Sequence, residues 1–321
     1  MRKWQDLFNI CLTILKECLA IKAKEICALV TDFADSALDA AFYEAILAHD
    51  AVPIFIRVPP ESHIQYSNLL EKAITSASVV IIHTQDIFPY ALRKKVATSG
   101  GRVLSLCAVT DEIARRALAV DYPRLAKTTR AIAQLLAISK EMFISTPAGT
   151  ELSLSINNQI VICLDGLATE AGMITALPAG VVATVPLGNA AEGTIVLDGS
   201  VSSLGLIKDP IVITVKEGRI TKIEGGETAQ KLEAILNRAD LNARCVAEVG
   251  IGTNPKAIYT GLLIEDERVC GSAHVGFGRN VHLGGNIESN FHIDATLKSP
   301  TVYADQLLLV DKGSLLYPKC P

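Results

Sequence analysis

In Phe291-His292-Ile293-Asp294 two polar side chains are separated by one apolar residue. On a strand His292 and Asp294 therefore share one face, while Phe291 and Ile293 take the other. Neutral imidazole and carboxylate are ligands for Zn, Mn, Fe or Co, and His274 supplies the third position of a two-histidine, one-carboxylate set with open coordination sites. The plainer alternative is that His292 and Asp294 only hydrogen-bond one another. His274 and the glycines at 250, 252, 271, 276, 278, 284 and 285 favour the metal, because glycine allows tight turns and close backbone approach to a ligand-lined strand end. His282 reads equally well as an exposed loop histidine. Glu248, in Ala-Glu-Val-Gly-Ile-Gly-Thr-Asn, sits in an apolar context where a carboxylate needs a metal, a cation or hydrogen-bond donors. A metal-centre role and a salt bridge to an arginine are both open. Glu265, Asp266 and Glu267 form a charge run that reads as a solvated loop, at least at Glu265.

The elements that must position these residues fall into two textures. Ile26–Val30, Val52–Ile56, Val79–Ile82 and Val103–Leu106 are short apolar runs and read as strands. Between them Ser36–His49, Ile64–Thr75, Phe88–Thr98 and Asp111–Leu118 read as helices, with Ser36 and Asp111 near helix starts. Repeated strand–helix units whose strands are apolar throughout predict a parallel sheet covered on both faces, flavodoxin-like or Rossmann-like. No GxGxxG or GxxxxGK[ST] follows these strands, so a nucleotide-binding role lacks its phosphate-cradling loop. A helix over about 124–140 follows, and then glycine-punctuated strands: 151–156, 160–164, 181–185, 194–197, 211–215 and 219–224, with one more helix over 228–237. Lys216-Glu-Gly-Arg219 reads as a hairpin turn, and Asn157-Asn158 fits the same role. The expected organisation is an α/β domain over 1–145 and a β-rich α+β metal-binding domain over 146–321.

Composition narrows the function. The chain has 321 residues, half of them hydrophobic, 20% charged, with a formal net charge of −4, which describes a folded α/β protein of enzyme size. No Lys/Arg block supplies the footprint that nucleic acid or an anionic membrane requires, so small molecules or short peptides are the expected partners. The amphipathic segment 1–21 is interrupted by Asp6, Lys16 and Glu17 and is too short in its apolar run to span a membrane. Eight cysteines occur singly, without CxxC, as in a reduced cytoplasmic protein; Cys270, near the histidines, is the one to watch.

Ala-Glu-Val-Gly-Ile-Gly-Thr-Asn-Pro at 247–255, Asp-Glu-Arg at 266–268, Gly-Ser-Ala-His-Val-Gly-Phe-Gly at 271–278 and Asn-Phe-His-Ile-Asp at 290–294 resemble the thermophilic metallo-aminopeptidase family. Thr-Pro-Ala-Gly-Thr-Glu-Leu at 146–152, Leu-Pro-Ala-Gly at 177–180 and the stretch 191–200 extend the match. The resemblance implies an N-terminal α/β domain, a β-rich catalytic domain, a homodimer, and a two-metal site (Zn, Mn or Co) that removes N-terminal residues from peptides. It places Glu248, His274, His292 and Asp294 as ligands. Two positions depart: the glutamate that family members place after Pro-x-Gly is Val181 here, and the tyrosine seven residues after the first histidine is Val281.

The same superfamily holds a branch similar to 2,5-dihydroxypyridine dioxygenase, which uses one ferrous ion, two histidines and an aspartate. The primary expectation is a metal-dependent hydrolase of the aminopeptidase type, with Glu248 or Glu267 assisting water deprotonation. The alternative is an Fe(II) ring-cleaving dioxygenase, with His83, in Ile-Ile-His-Thr, as a base from the first domain or simply a loop histidine. A third possibility is a ligand-binding relative without a working metal site.

Overall fold

The computed structural model describes residues 2–59 and 68–317; the start of the expected helix at 64–67 and Cys320 lie outside them. The amphipathic start forms α1 (Arg2–Thr13), continued by a π turn at Ile14–Cys18, and buries Leu7, Cys11, Leu15, Cys18 and Leu19. Then β1 (Ile26–Thr31), α2 (Ala37–Ala48), β2 (Val52–Arg57), α3 (Asn68–Thr75), β3 (Val79–His83), α4 (Tyr90–Thr98), β4 (Arg102–Ser105) and α5 (Asp111–Ala117) alternate as the apolar runs require. Ser36 caps α2, its hydroxyl accepting from Asp39 N–H; at α5 the cap is Thr110 rather than Asp111. Next come α6 (Tyr122–Ile138), β5 (Glu141–Ser145), β6 (Glu151–Ser155), β7 (Val161–Leu164), β8 (Ile174–Ala176), β9 (Val181–Thr184), β10 (Ala191–Leu197), β11 (Ser200–Val201), β12 (Gly205–Leu206), β13 (Ile211–Lys216) and β14 (Arg219–Glu224). The chain continues through α7 (Glu227–Arg238), β15 (Val246–Gly252), α8 (Leu263–Asp266), β16 (Ala273–Gly278), β17 (His292–Leu297), β18 (Thr301–Ala304), β19 (Leu307–Asp311) and β20 (Ser314–Leu315).

The chain divides into two compact units, Met1–Ala126 with Leu164–Ala179, and Lys127–Cys163 with Gly180–Pro321. A single crossing near 145 was the expectation from texture. The segment 164–179 returns to the first unit because it carries β8, which extends the parallel sheet by pairing with β4. That sheet runs β2-β1-β3-β4-β8. Its interior strands are buried on both faces, but β2 is not: as an edge strand it leaves Val52, Ile54 and Phe55 exposed, which corrects the expectation that every strand is covered.

The second unit holds an eight-stranded sheet, β14-β13-β10-β6-β5-β18-β19-β20, and a seven-stranded one, β12-β11-β17-β16-β15-β9-β7. Both sheets feed one apolar core: Leu152, Ile195 and Ile213 from the first meet Val249, Val275, Phe277 and Ile293 from the second, with Leu232 and Leu236 of α7. The expected hairpin joins β13 to β14, with Glu217 at φ 48° and Gly218 at φ 71°, the double positive φ of a type I′ turn.

Candidate metal centre

Three adjacent strands carry the centre on one face. The registers β15·β16 and β16·β17 align Glu248 with Gly276 and Gly276 with Asp294, Gly250 with His274, and Gly278 with His292. Along each strand the alternate residues Val249, Ile251, Val275, Phe277, Ile293 and Ala295 enter the core, so the opposite face is left to polar side chains and glycine. A bulge between Val246 and Glu248 lets Val246 join the core while Glu248 points to the metal face. The glycines make room. A Cβ on Gly276 would lie 2.4 Å from Asp294 Oδ1 and 2.6 Å from Glu248 Cγ, and one on Gly250 would lie 2.1 Å from His274 Cε1.

His292 Nε2 lies 3.0 Å from Asp294 Oδ2 and 3.7 Å from Glu248 Oε1, and His274 Nε2 lies 4.0 Å from Glu248 Oε1. Glu248, His292 and Asp294 offer ligand atoms that all lie within 4.8 Å of one another; His274 approaches this group through Glu248. His292 Nδ1 donates to the Arg279 carbonyl at 2.8 Å, which orients the ring and turns Nε2 toward the carboxylates. The Glu248 carboxylate thus meets histidines, not the arginine of the plainer reading.

Burial lowers the His274 pKa, against the pull of Glu267 and Asp294, which favours the neutral, ligand-competent imidazole. Burial, reinforced by the Glu248 charge, raises that of Asp294. For His292 burial acts downward but is outweighed by its hydrogen bonds to Asp294 and Glu248 and their charges, and the ring is pushed up to about 11. Asp294 and Glu248 therefore crowd their carboxyl oxygens around one imidazolium inside the protein. Among the described residues Asp294 Oδ1 and His274 Nδ1 are buried without a hydrogen-bond partner, an arrangement that costs free energy unless something else satisfies it. The donor set of His274, His292 and Asp294, with the Glu248 carboxylate beside it, fits a divalent cation with affinity for nitrogen and oxygen.

A pH dependence follows. Metal loading must displace the His292 proton, so between about pH 6 and 8 it releases about one proton per ion and apparent affinity rises up to about tenfold per pH unit. Metal titration in weakly buffered indicator dye measures this directly; loading without proton release would refute it. In the metal-free protein the raised His292 pKa stabilises fully below its ordinary 6.5, and that contribution is lost as pH climbs through about 11.

The remaining expected residues are placed as follows. Glu267, whose carboxyl is raised by burial against the opposing charge of Arg268, pairs with Arg268 NH1 at 2.5 Å. Glu265 and Asp266 are fully buried, which corrects the solvated-loop reading: Glu265 accepts from Ile258 N–H, and Asp266 accepts from Thr260 N–H, the Thr260 hydroxyl and Gly261 N–H. These carboxylates close the 258–266 turn from within, a role invisible in a bare charge run. Asp266→Ala strands those donors and is expected to destabilise by roughly 2–4 kcal/mol, to be read from denaturant unfolding. His83 is buried in the first unit with Nδ1 2.6 Å from Asp39 Oδ1 and Nε2 2.7 Å from the Val109 carbonyl. Both nitrogens face acceptors, so it serves as a base only after one of these bonds opens. His282 is exposed and stands edge-on to His292, ring centroids 4.9 Å apart. Cys270 is half-buried and forms no disulfide among the described residues.

A candidate nitrogen/oxygen metal centre on an antiparallel sheet, in a chain that also builds a parallel α/β unit, describes an enzyme of mixed α/β architecture. The family model for 2,5-dihydroxypyridine 5,6-dioxygenase (NicX) matches residues 6–317, and the chain belongs to that family. A curated relative, 2,5-dihydroxypyridine 5,6-dioxygenase from Pseudomonas putida KT2440, is 23% identical over 265 residues, covering 78% of this chain and 75% of the relative. The solved structure of 2,5-dihydroxypyridine dioxygenase from the same strain superposes with a TM-score of 0.83 at 19% identity, over 98% of this chain and 97% of that one. Wild-type AmpT from Thermus thermophilus gives a TM-score of 0.67 at 14% identity, over 97% and 99%, a likeness of fold.

These findings overturn the aminopeptidase reading. The matching family and the curated relative are dioxygenases, so hydrolase, aminopeptidase and metalloprotease chemistry is withdrawn, and the Zn, Mn or Co set with it. Among the described residues no helix is long and apolar enough to cross a membrane.

Proposed function

We propose that this chain is a ring-opening dioxygenase that holds one ferrous ion and adds both atoms of O2 across a bond of a hydroxylated pyridine such as 2,5-dihydroxypyridine. The observation that carries the reading is the composition of the metal face. Beyond the histidines and carboxylates of β15–β17, the neighbouring strand β9 aligns Ala183 with Gly250 and Val181 with Gly252, so that strand offers the face two apolar side chains and no carboxylate for a second ion. A single two-histidine centre beside an apolar wall suits a planar ring and an oxygen molecule.

When bound, ferrous iron supplies the redox chemistry that lets oxygen react with an electron-rich ring. His274, His292 and Asp294 hold the ion, and the Arg279 carbonyl keeps His292 in the tautomer that presents Nε2. Glu248, whose Oε1 stands between the two histidines, accepts the proton of a ring hydroxyl. Glu267 keeps Arg268 neutralised beside the centre. A small-molecule substrate, a homodimer and a cytoplasmic location belong to the same proposal; the net charge of −4 supports a chain that does not engage nucleic acid or an anionic membrane.

The test is anaerobic purification with metal analysis, followed by oxygen-electrode measurement with 2,5-dihydroxypyridine. One iron per chain and one O2 consumed per ring opened are expected. Two ions per chain, or ring loss without oxygen uptake, would sink the reading.

A further inference from the structure

Of the four residues at the centre, His274, Glu248 and Asp294 have side chains only 2, 8 and 13% exposed, whereas His292 is 26% exposed. The centre therefore opens to solvent on its His292 side. There, in the short turn Val281–Leu283, His282 presents its ring at 88° to that of His292. The turn is fixed to the metal strands by Asn280, 1% exposed: its Nδ2 donates to the Ala247 carbonyl next to Glu248, its Oδ1 accepts from Ile287 N–H, and its carbonyl accepts from Leu283 and Gly285 N–H. His282 is thus exposed on an anchored loop. Its ring takes no hydrogen bond among the described residues, so both nitrogens remain available to a bound molecule.

We infer that His282 is a substrate-contacting residue: it hydrogen-bonds a hydroxyl or hydroxylate oxygen of a planar ring seated at the metal, and it sets the preference for hydroxylated rings without itself holding the ion. This rests on the ring-opening reading. A neighbour that only packed against His292 would be replaceable by any ring, whereas a hydrogen-bonding contact needs the imidazole edge or a polar substitute for it.

The test uses iron-loaded, full-length protein and the variants His282→Ala, His282→Phe and His282→Gln. Iron affinity is measured by competition with a chelator, ring binding by anaerobic titration with the chromophoric probe 4-nitrocatechol and with 2,5-dihydroxypyridine, and KM and kcat are resolved separately. The expected result is unchanged iron affinity in all three, about tenfold weaker ring binding with raised KM for the alanine and phenylalanine variants, and near-normal binding for the glutamine variant. Wild-type ring affinity in the alanine and phenylalanine variants overturns the inference. So does a loss of iron in parallel with a loss of ring, which would make His282 a support of the centre, and so does a wild-type protein that binds iron but neither ring. A wild type that binds 4-nitrocatechol through His282 yet does not open 2,5-dihydroxypyridine leaves the inference standing and defeats the proposed substrate.

Discussion

His292→Ala is expected to abolish turnover and to weaken binding of the divalent ion by more than about 100-fold, since loss of a mere supporting hydrogen bond around a ligand already costs 10–100-fold. Three roles end together. Nε2, 3.0 Å from Asp294 and 3.7 Å from Glu248, is lost as a donor to metal. The Arg279 carbonyl loses its Nδ1–H partner. Asp294, already raised by burial, loses the imidazolium that pulls its carboxyl down, so it takes up a proton more readily and competes with any cation. The fold itself is expected to survive, because the His292 side chain is one quarter exposed and its strand neighbours Ile293 and Ala295 keep β17 in the core. Metal analysis by mass spectrometry, paired with thermal unfolding of the metal-free variant, separates the two effects. One full equivalent of ion bound at wild-type affinity would remove His292 from the centre.

Gly276→Ala is expected to do nearly as much damage without touching a ligand. Gly276 is flanked by Glu248 on one side and Asp294 on the other, and the two carboxylates converge over it because no side chain rises between them. An added Cβ would lie 2.4 Å from Asp294 Oδ1, 2.6 Å from Glu248 Cγ and 3.2 Å from Glu248 Oε1, so both side chains must swing apart. A displacement near 1 Å is enough to cost about 100-fold in a preorganised site. Alanine meets no left-handed backbone at this position, for Gly276 is absent from the positive-φ glycines, so the penalty falls on the centre and not on the strand. Gly226→Ala, where the nearest atoms are 3.9 Å away, is the control. If Gly276→Ala binds the ion as tightly as the control does, the gap between the carboxylates is not what shapes the centre.

Much of the architecture was legible locally. The strand positions in the first unit and the Ser36 cap follow from apolar runs and capping chemistry, and the turn at Glu217-Gly218 from its glycine. His292 and Asp294 are correctly paired on one face because alternation along a strand is a two-residue property. The same rule cannot say that β2 is an edge with Val52 and Phe55 exposed, since an apolar run looks alike at the edge and in the middle of a sheet. Nor can it say that 164–179 returns to the first unit, because three residues of β8 carry too little pattern to announce a pairing some seventy residues back. Glu265 and Asp266 looked solvated for the same reason: a carboxylate that caps backbone N–H groups from inside a turn has the same sequence as one in water.

The chemistry divides along a similar line. The residue types alone pointed to a nitrogen/oxygen centre at His274, His292 and Asp294, and they raised both a hydrolytic and an oxygenating use for it. Only the tertiary structure decided that Glu248 joins Asp294 and His292 across the bare backbone of Gly276, and that Val181 and Ala183 occupy the adjoining strand of the metal face. That is a matter of register and of one bulge among strands up to forty-six residues apart in the chain: alternation fixes which face a side chain takes, but which side chains meet on that face depends on how far each strand slides against the next.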